Sequence, residues 1–266
     1  PSGAAPGVCG RPLTERVDLI TTPLLLVLSS RFNAMAKAIT ERVDESEIFA
    51  QALPHEVRTP LSRIQLAVGL LKQDLSGDKH TGLLDSIDDY VDDMAELSEQ
   101  ITTFSRISAK HSHYNDDERT TIITDFIQSR IALYQVHNSI NVTYRADDKI
   151  TMKTSPMCLR LAFDNLLKNM LNHAQSTVHV SIIQLASTII ITVEDDGPGI
   201  SPENYHQIFI PFARLDKSRS RKTGGLGLGL SIAKRASKRL GGQIAVSKSQ
   251  LGGPKFELTL PEQKKA

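Results

Sequence analysis

Tryptophan is absent from the chain, and its 266 residues include only two cysteines. Cys9 and Cys158 are far apart and have no His or Cys neighbours at metal-ligand spacing, which argues against a zinc site or a disulfide framework and for two free thiols in a reducing cytoplasm. Long apolar runs are missing as well. The longest, Pro23 to Leu28, falls far short of the roughly 20 residues that span a bilayer, and Arg16 and Asp18 interrupt the flank before it, so no transmembrane helix is expected. A first residue of Pro rather than Met reads as the start of a fragment, which leaves the parent protein's membrane segments open. Charge of one sign is not in excess either. The formal net charge is +1, without the basic footprint that phosphate contacts leave on nucleic-acid-binding proteins, so no nucleic-acid partner is expected. What remains is ordinary globular material, 40% hydrophobic and 23% charged, long enough for one or two domains.

Residues 1–43 read as a Pro- and Gly-rich leader followed by a weakly periodic connector from Leu13 to about Ile39. From Ile48 the pattern sharpens. Val57, Leu61, Ile64, Val68, Leu71 and Leu75 alternate at spacings of four and three, a heptad seam on one helix. After the turn signal Ser76 to Gly82, a second seam runs through Leu84, Ile87, Val91, Met94, Leu97 or Ser98, Ile101, Phe104 and Ser108. Two helices joined by a short loop pack antiparallel, which gives a helical hairpin over residues 44–110. One hairpin cannot cover a continuous seam, so a second copy is expected to complete a four-helix bundle as a homodimer. His55 stands two residues before Val57 and therefore points away from the seam, into solvent. The second helix carries Asp85, Asp88, Asp89, Asp92, Asp93, Glu96 and Glu99 with no basic residue among them, either a solvated face or a partner-docking one.

Residues 118–262 change character to mixed α and β. Ile122-Ile123, Ile140 to Arg145 and Ile150 to Lys153 read as strands, and Asp125 to Gln135 as a helix. Ser155 to Ala174 is a second helix with Ser155 as N-cap and Pro156 in the first turn. Thr177 to Leu185 and Thr188 to Glu194 form a hairpin around Ala186-Ser187. A Gly-rich segment, a helix near Leu228 to Leu240 and a closing hairpin (Gln243 to Lys248, Lys255 to Leu260) complete an α/β sandwich. The fold class is α+β.

Four segments carry chemistry. Asp195-Asp196-Gly197-Pro198-Gly199-Ile200 follows directly on a strand, where a carboxylate can receive a base amino group, although the same string is also an ordinary turn. Thr223 to Leu230, with Gly225, Gly227 and Gly229, opens a helix whose freed amides can cradle phosphate. Between them lie Ile208 to Arg214 and the loop cations Lys217, Arg219, Arg221 and Lys222, either solvated or placed to meet phosphate. Asn165 and Asn169 are four apart and share a helix face, where amide oxygens could meet a hard cation such as Mg²⁺.

In order, these segments resemble the sensor histidine kinases of two-component signalling over about residues 45 to 262. His55-Glu56-Val57-Arg58-Thr59-Pro60-Leu61 resembles the H box of a dimerisation and phosphotransfer domain. Asp164 to Asn169 resembles the N box, Asp195 to Gly199 the G1 box, Ile208 to Arg214 the F box and Gly225 to Gly229 the G2 box. Together they imply a Bergerat-type ATP-binding domain, and the run Glu194 to Leu230 with Gly252 to Phe256 is similar to RstB-like members. The resemblance implies roles by position. His55 would attack the γ-phosphate of ATP through Nε2, while Glu56 accepts the Nδ1 proton. Asn169 would bind Mg²⁺ with Asn165 in support, and Asp195 would take the adenine amino group. Gly197, Gly199, Gly225, Gly227 and Gly229 would allow close backbone approach, and Arg214 would meet phosphate. Glu56 to Thr59 also resembles the family's phosphatase signature, with Thr59 placing a water against a response regulator's phosphoaspartate.

The implied protein is the cytoplasmic portion of a bacterial inner-membrane sensor kinase, joined to the membrane by segments missing from this chain. It would be an ATP-dependent autokinase with a response regulator as partner. Two alternatives stand beside it: another ATPase of the same superfamily, such as a chaperone or a topoisomerase subunit, and a degenerate module that binds nucleotide without autophosphorylating. Departures from the family pattern are Pro54, which removes a helical amide donor beside His55, and Asn172-His173 at the end of the N box. Phe32-Asn33-Ala34-Met35 weakly resembles the end of a HAMP linker.

Overall fold

The computed structural model describes residues 57–68, 70, 80–108, 118–135, 139–146, 149–215 and 227–261. All of them belong to one compact unit, Pro54–Ala266. The leader and connector, Cys9, Pro54, His55 and Glu56, Gly225 and the loop cations Lys217 to Lys222 lie outside the described residues.

Residues 57–68 are helical (α1), and a long helix α2 runs His80–Ser108. The turn signal over Ser76 to Gly82 therefore overlaps the first residues of α2. Arg63 of α1 stacks on the Tyr90 ring of α2, 5.5 Å from its centroid. Along the two seams Leu97 and Phe104 are buried, whereas Leu61, Val68, Leu84 and Val91 are exposed, the last two by 51% and 50%. An apolar stripe thus remains uncovered within a single copy.

The mixed region begins with β1 (Arg119–Ile122), α3 (Ile123–Gln135), β2 (Asn141–Ala146) and β3 (Thr151–Thr154). Ile123 is the first helical residue rather than part of a strand. Its N–H donates to Ile150 O at 2.8 Å and its side chain is fully buried, so an apolar pair that reads as strand is split between β1 and the first turn of α3. Next come α4 (Pro156–His173), β4 (Thr177–Leu185) and β5 (Thr188–Asp195), then two short 3₁₀ turns, α5 (Gly229–Arg239), β6 (Gln243–Lys248) and β7 (Pro254–Pro261). Ser155 caps α4, its Oγ accepting from Cys158 N at 3.3 Å, with Pro156 in the first turn where no amide donor is needed.

Five strands form one sheet in the order β2-β4-β5-β7-β6, and β1 pairs with β3 separately. Only the β2–β4 pairing within the large sheet is parallel. Strand burial alternates, as a sheet with one covered face requires: Val178, Val180 and Ile182 of β4 and Phe256, Leu258 and Leu260 of β7 are fully buried. Helices α4 and α5 pack together over that face, contributing Leu159, Phe163, Leu166, Leu167, Met170, Ala233 and Ala236 to one core. Arg239 of α5 donates through Nε to Ile107 O of α2 at 2.8 Å, and the Arg235 guanidinium lies 4.5 Å from the Phe104 ring centroid. These two arginines tie the long helix to the sandwich.

Candidate functional site

β5 lies at the middle of the large sheet, hydrogen-bonded to β4 on one side and β7 on the other, and ends at Asp195. The carboxylate is therefore delivered to the interior. Its residue is fully buried, Oδ1 accepts from Gly197 N at 2.7 Å, and Oδ2 has no hydrogen-bond partner. A buried carboxylate oxygen without a donor is costly and marks a candidate ligand site. Burial pushes this carboxyl up to about 6, against the Gly197 N–H, which lowers it, and with a further push from the neighbouring Asp196 charge.

Glycines make room around it. A Cβ at Gly197 would fall on the His173 carbonyl and come within 2.8 Å of Asp195 Oδ1. One at Gly253, in the turn between β6 and β7, would fall on Asp195 Oδ1 itself, and the Gly253 N–H donates to Asp195 O at 3.1 Å. Asp196, adjacent in sequence, does something different. Its Oδ1 accepts from the backbone N–H groups of Gln175, Ser176 and Thr177 at 2.9 to 3.1 Å, and Oδ2 from the Ser176 hydroxyl at 2.5 Å. Those donors, the Ser176 hydroxyl foremost, hold its carboxyl well below the usual range. Asp196 fastens the turn after α4 and is already satisfied.

Beside this carboxylate lies a cavity of about 450 Å³. Asn165, Asn169, Gly199, Arg214, Gly227 and Gly229 all line it, so residues from four separate segments of the chain converge there. Asp195 and Gly197 do not line it and are buried behind it. Asn165 donates through Nδ2 to Leu161 O at 2.8 Å, which turns Oδ1 toward Gly229, where an added Cβ would stand 3.0 Å away. An amide oxygen so directed suits a hard cation or a backbone donor. Gly227 adopts φ +76, and a Cβ there would meet the Phe212 backbone at 2.9 Å. The Phe212 N–H donates to Gly227 O at 3.0 Å, and Phe212 itself is held at φ 62. Phe212 and Gly227 are thereby pinned to each other beside the cavity.

Thr59 lies in α1, half-buried and away from this cavity. His55, Glu56 and Gly225 fall outside the described residues. Three features went unread in the sequence. Gly253 presses on Asp195 from a turn nearly sixty residues away, a proximity no local pattern signals. Asp164, counted within the N box, faces away from the cavity: it takes a two-pronged ion pair from Arg130, with Nε to Oδ1 at 2.9 Å, and a Tyr134 hydroxyl at 3.1 Å. Glu96 and Gln100 of α2 belong to the cavity wall. Among the described residues no group of three or more His, Cys, Asp or Glu side chains could hold a metal ion.

Residues 154–264 match the family model of the histidine kinase-, DNA gyrase B- and HSP90-like ATPases, and residues 45–110 match the His Kinase A (phospho-acceptor) domain. Sensor protein RstB of Escherichia coli (strain K12) is 30% identical over 252 residues, 94% of this chain and 56% of the relative. The chain is homologous to the sensor histidine kinases over most of its length. Sensor histidine kinase CpxA of the same organism is 29% identical over 266 residues, 99% of this chain and 57% of that kinase. The chain thus spans little more than half the length of these sensor kinases. Two solved kinase structures share the fold. Histidine kinase ThkA, in complex with response regulator protein TrrA, has a TM-score of 0.68 at 17% identity, covering 85% of this chain and 65% of that one. Full-length ShkA in complex with AMPPNP has a TM-score of 0.60 at 22% identity, covering 84% and 47%.

Proposed function

We propose that this chain is an ATP-dependent protein histidine autokinase that phosphorylates His55 and passes the phosphoryl group to an aspartate of a response regulator. The observation that carries the reading is Asp195 Oδ2, a buried carboxylate oxygen without a partner, behind a cavity in a domain that matches the histidine kinase-, DNA gyrase B- and HSP90-like ATPases, preceded by a match to the phospho-acceptor domain. An adenine amino group is a donor of the kind this oxygen lacks, and the crowding at Gly197 and Gly253 fixes the carboxylate against it. The nucleotide phosphates then fall to Arg214, the amides around Gly225, Gly227 and Gly229, and the cations Lys217, Arg219, Arg221 and Lys222. Mg²⁺ would neutralise phosphate charge during transfer. Asn169, with Asn165 beside it, has the hard oxygen donors to hold such an ion on the cavity wall.

His55 lies within the matched phospho-acceptor segment. Its Nε2 would form the new bond to the γ-phosphorus as the bond from that phosphorus to the β–γ bridging oxygen breaks and ADP leaves, Glu56 holding the proton at Nδ1 so that Nε2 keeps its lone pair. Residues 44–110 would be the dimerisation and phosphotransfer hairpin and 118–262 the catalytic domain. The exposed stripe of Leu61, Val68, Leu84 and Val91 supports a homodimer built on the hairpin. ThkA bound to a response regulator, in a structure of the same fold, supports a regulator as the partner. Thr59 would serve the reverse step, hydrolysis of the partner's phosphoaspartate. No described helix is long and apolar enough to cross a membrane. A cytoplasmic position within a larger inner-membrane protein belongs to the same proposal.

Incubation with γ-labelled ATP should yield an acid-labile, base-stable phosphoprotein in the parent and none in His55→Gln, with label passing on to a purified receiver domain. Label retained in His55→Gln would assign the chain to another ATPase type. Nucleotide binding without labelling of the parent would make it a degenerate module.

A further inference from the structure

Glu96 belongs to the acidic run of α2, which in sequence reads as a solvated or partner-facing stripe. The structure leaves its side chain exposed and sets it at the edge of a cavity. Glu96 and Gln100 are the α2 contribution to the wall of the nucleotide cavity, together with Asn169 and Arg214 from the sandwich. Gln100 Nε2 donates to Glu96 Oε1 at 2.9 Å, which orients the two side chains as a pair, and Gln100 Oε1 is buried with no hydrogen-bond partner. Glu96 is the only carboxylate among the described residues lining the cavity, where the cations are Lys168 and Arg214.

Two contacts hold the helix in that position. Arg235 lies over the Phe104 ring, and Arg239 donates to the Ile107 carbonyl, both from α5, whose first residue, Gly229, also lines the cavity. The same short helix therefore grips α2 with one end and borders the nucleotide site with the other.

We infer that α2 is a wall of the nucleotide site, and that its docking on α5 brings Glu96 into the cavity, where the carboxylate weakens binding of the anionic nucleotide. The inference rests on the nucleotide reading of the cavity given above. Like charges in one cavity repel, and because Glu96 is itself exposed the effect is modest and screened by salt. Release of α2 from α5 then raises affinity without any change in the residues that hold the nucleotide. Movement of the phosphotransfer hairpin is in this way converted into nucleotide occupancy.

The test is calorimetric titration of the whole chain with a non-hydrolysable ATP analogue. Glu96→Gln should bind about threefold more tightly at low ionic strength, with the gain lost in high salt. Arg235→Ala, which loosens the docking, should shift affinity in the same direction. The double variant should bind no more tightly than the better single one, because both remove the same repulsion. Asp85→Asn, on the same helix about three turns away, should be unchanged. Unchanged or weaker binding by Glu96→Gln, equal tightening by Asp85→Asn, or fully additive single effects would overturn the inference. If the parent bound no nucleotide, the functional reading would fall and this inference with it. Binding by the parent with no response to Glu96→Gln removes the inference alone.

Discussion

Asp195 and Asp196 are adjacent carboxylates with opposite environments. Asp196 is surrounded by donors and stays charged, whereas Asp195 is enclosed by the sheet and by Gly253 and binds its proton up to about pH 6. A carboxyl whose pKa is raised on folding makes the folded state lose stability as pH climbs from 3.8 to about 6, after which the cost is complete. Asp195→Asn should therefore melt higher than the parent near neutral pH without nucleotide, by on the order of 2 kcal/mol, with the gap closing toward pH 4. Nucleotide affinity should respond the other way: the variant loses the acceptor for the base amino group, and the parent weakens as pH falls below about 6 and Oδ2 acquires a proton. Melting and titration series at matched pH values check both signs. At this scale the Asp195-Asp196-Gly197 string was legible as a base-binding candidate. The family resemblance singled out Asp195, but the string alone does not say which carboxylate remains unpaired, because that depends on donors from the turn at Gln175 to Thr177 and on Gly253.

At the scale of elements, α4 works on two faces. One presents Asn165 and Asn169 to the cavity; the other sets Asp164 against Arg130 and Tyr134 of α3. The pair is largely buried, with side-chain exposures of 19% for Arg130 and 12% for Asp164. Removing one partner leaves the other desolvated and unmatched, so Asp164→Ala should lower stability by about 2–3 kcal/mol, somewhat below the figure for a fully buried pair. Denaturant unfolding measures this. Nucleotide affinity, normalised to the folded fraction, should change far less than in Asp195→Asn. The helix itself was readable from its cap, proline and apolar spacing. Its division of labour was not, since Asp164 and Asn165 are neighbours in one motif and only the packing of α3 shows that they face apart. The split of Ile122 from Ile123 has the same origin: a β-branched pair favours a strand, but the Ile150 carbonyl captures the Ile123 amide and starts α3.

At the scale of the whole molecule, the hairpin seam is only partly covered within one copy. Leu84 and Val91 stand at least half exposed on α2, while Leu97 and Phe104 further along are buried. Leu84→Asp with Val91→Asp should leave the sandwich folded, with unchanged far-ultraviolet circular dichroism from that region, and convert a dimer to a monomer in light scattering. A parent that is already monomeric would contradict the dimer proposal. If the dimer is the form in which His55 is phosphorylated, autokinase activity falls with it while nucleotide affinity is retained.

The sequence by itself determined the class of fold and the order of elements, because periodicity, caps and turn residues are local and are written within a few residues of where they act. The tertiary structure decided what depends on approach between distant segments. It set the mixed strand order with a single parallel pairing, the closure of Gly253 over Asp195, the satisfaction of Asp196, the pinning of Phe212 to Gly227 and the entry of Glu96 into the cavity. Those features arise from packing against a shared core, and a carboxylate's role follows from the donors, glycines and charges that packing brings around it.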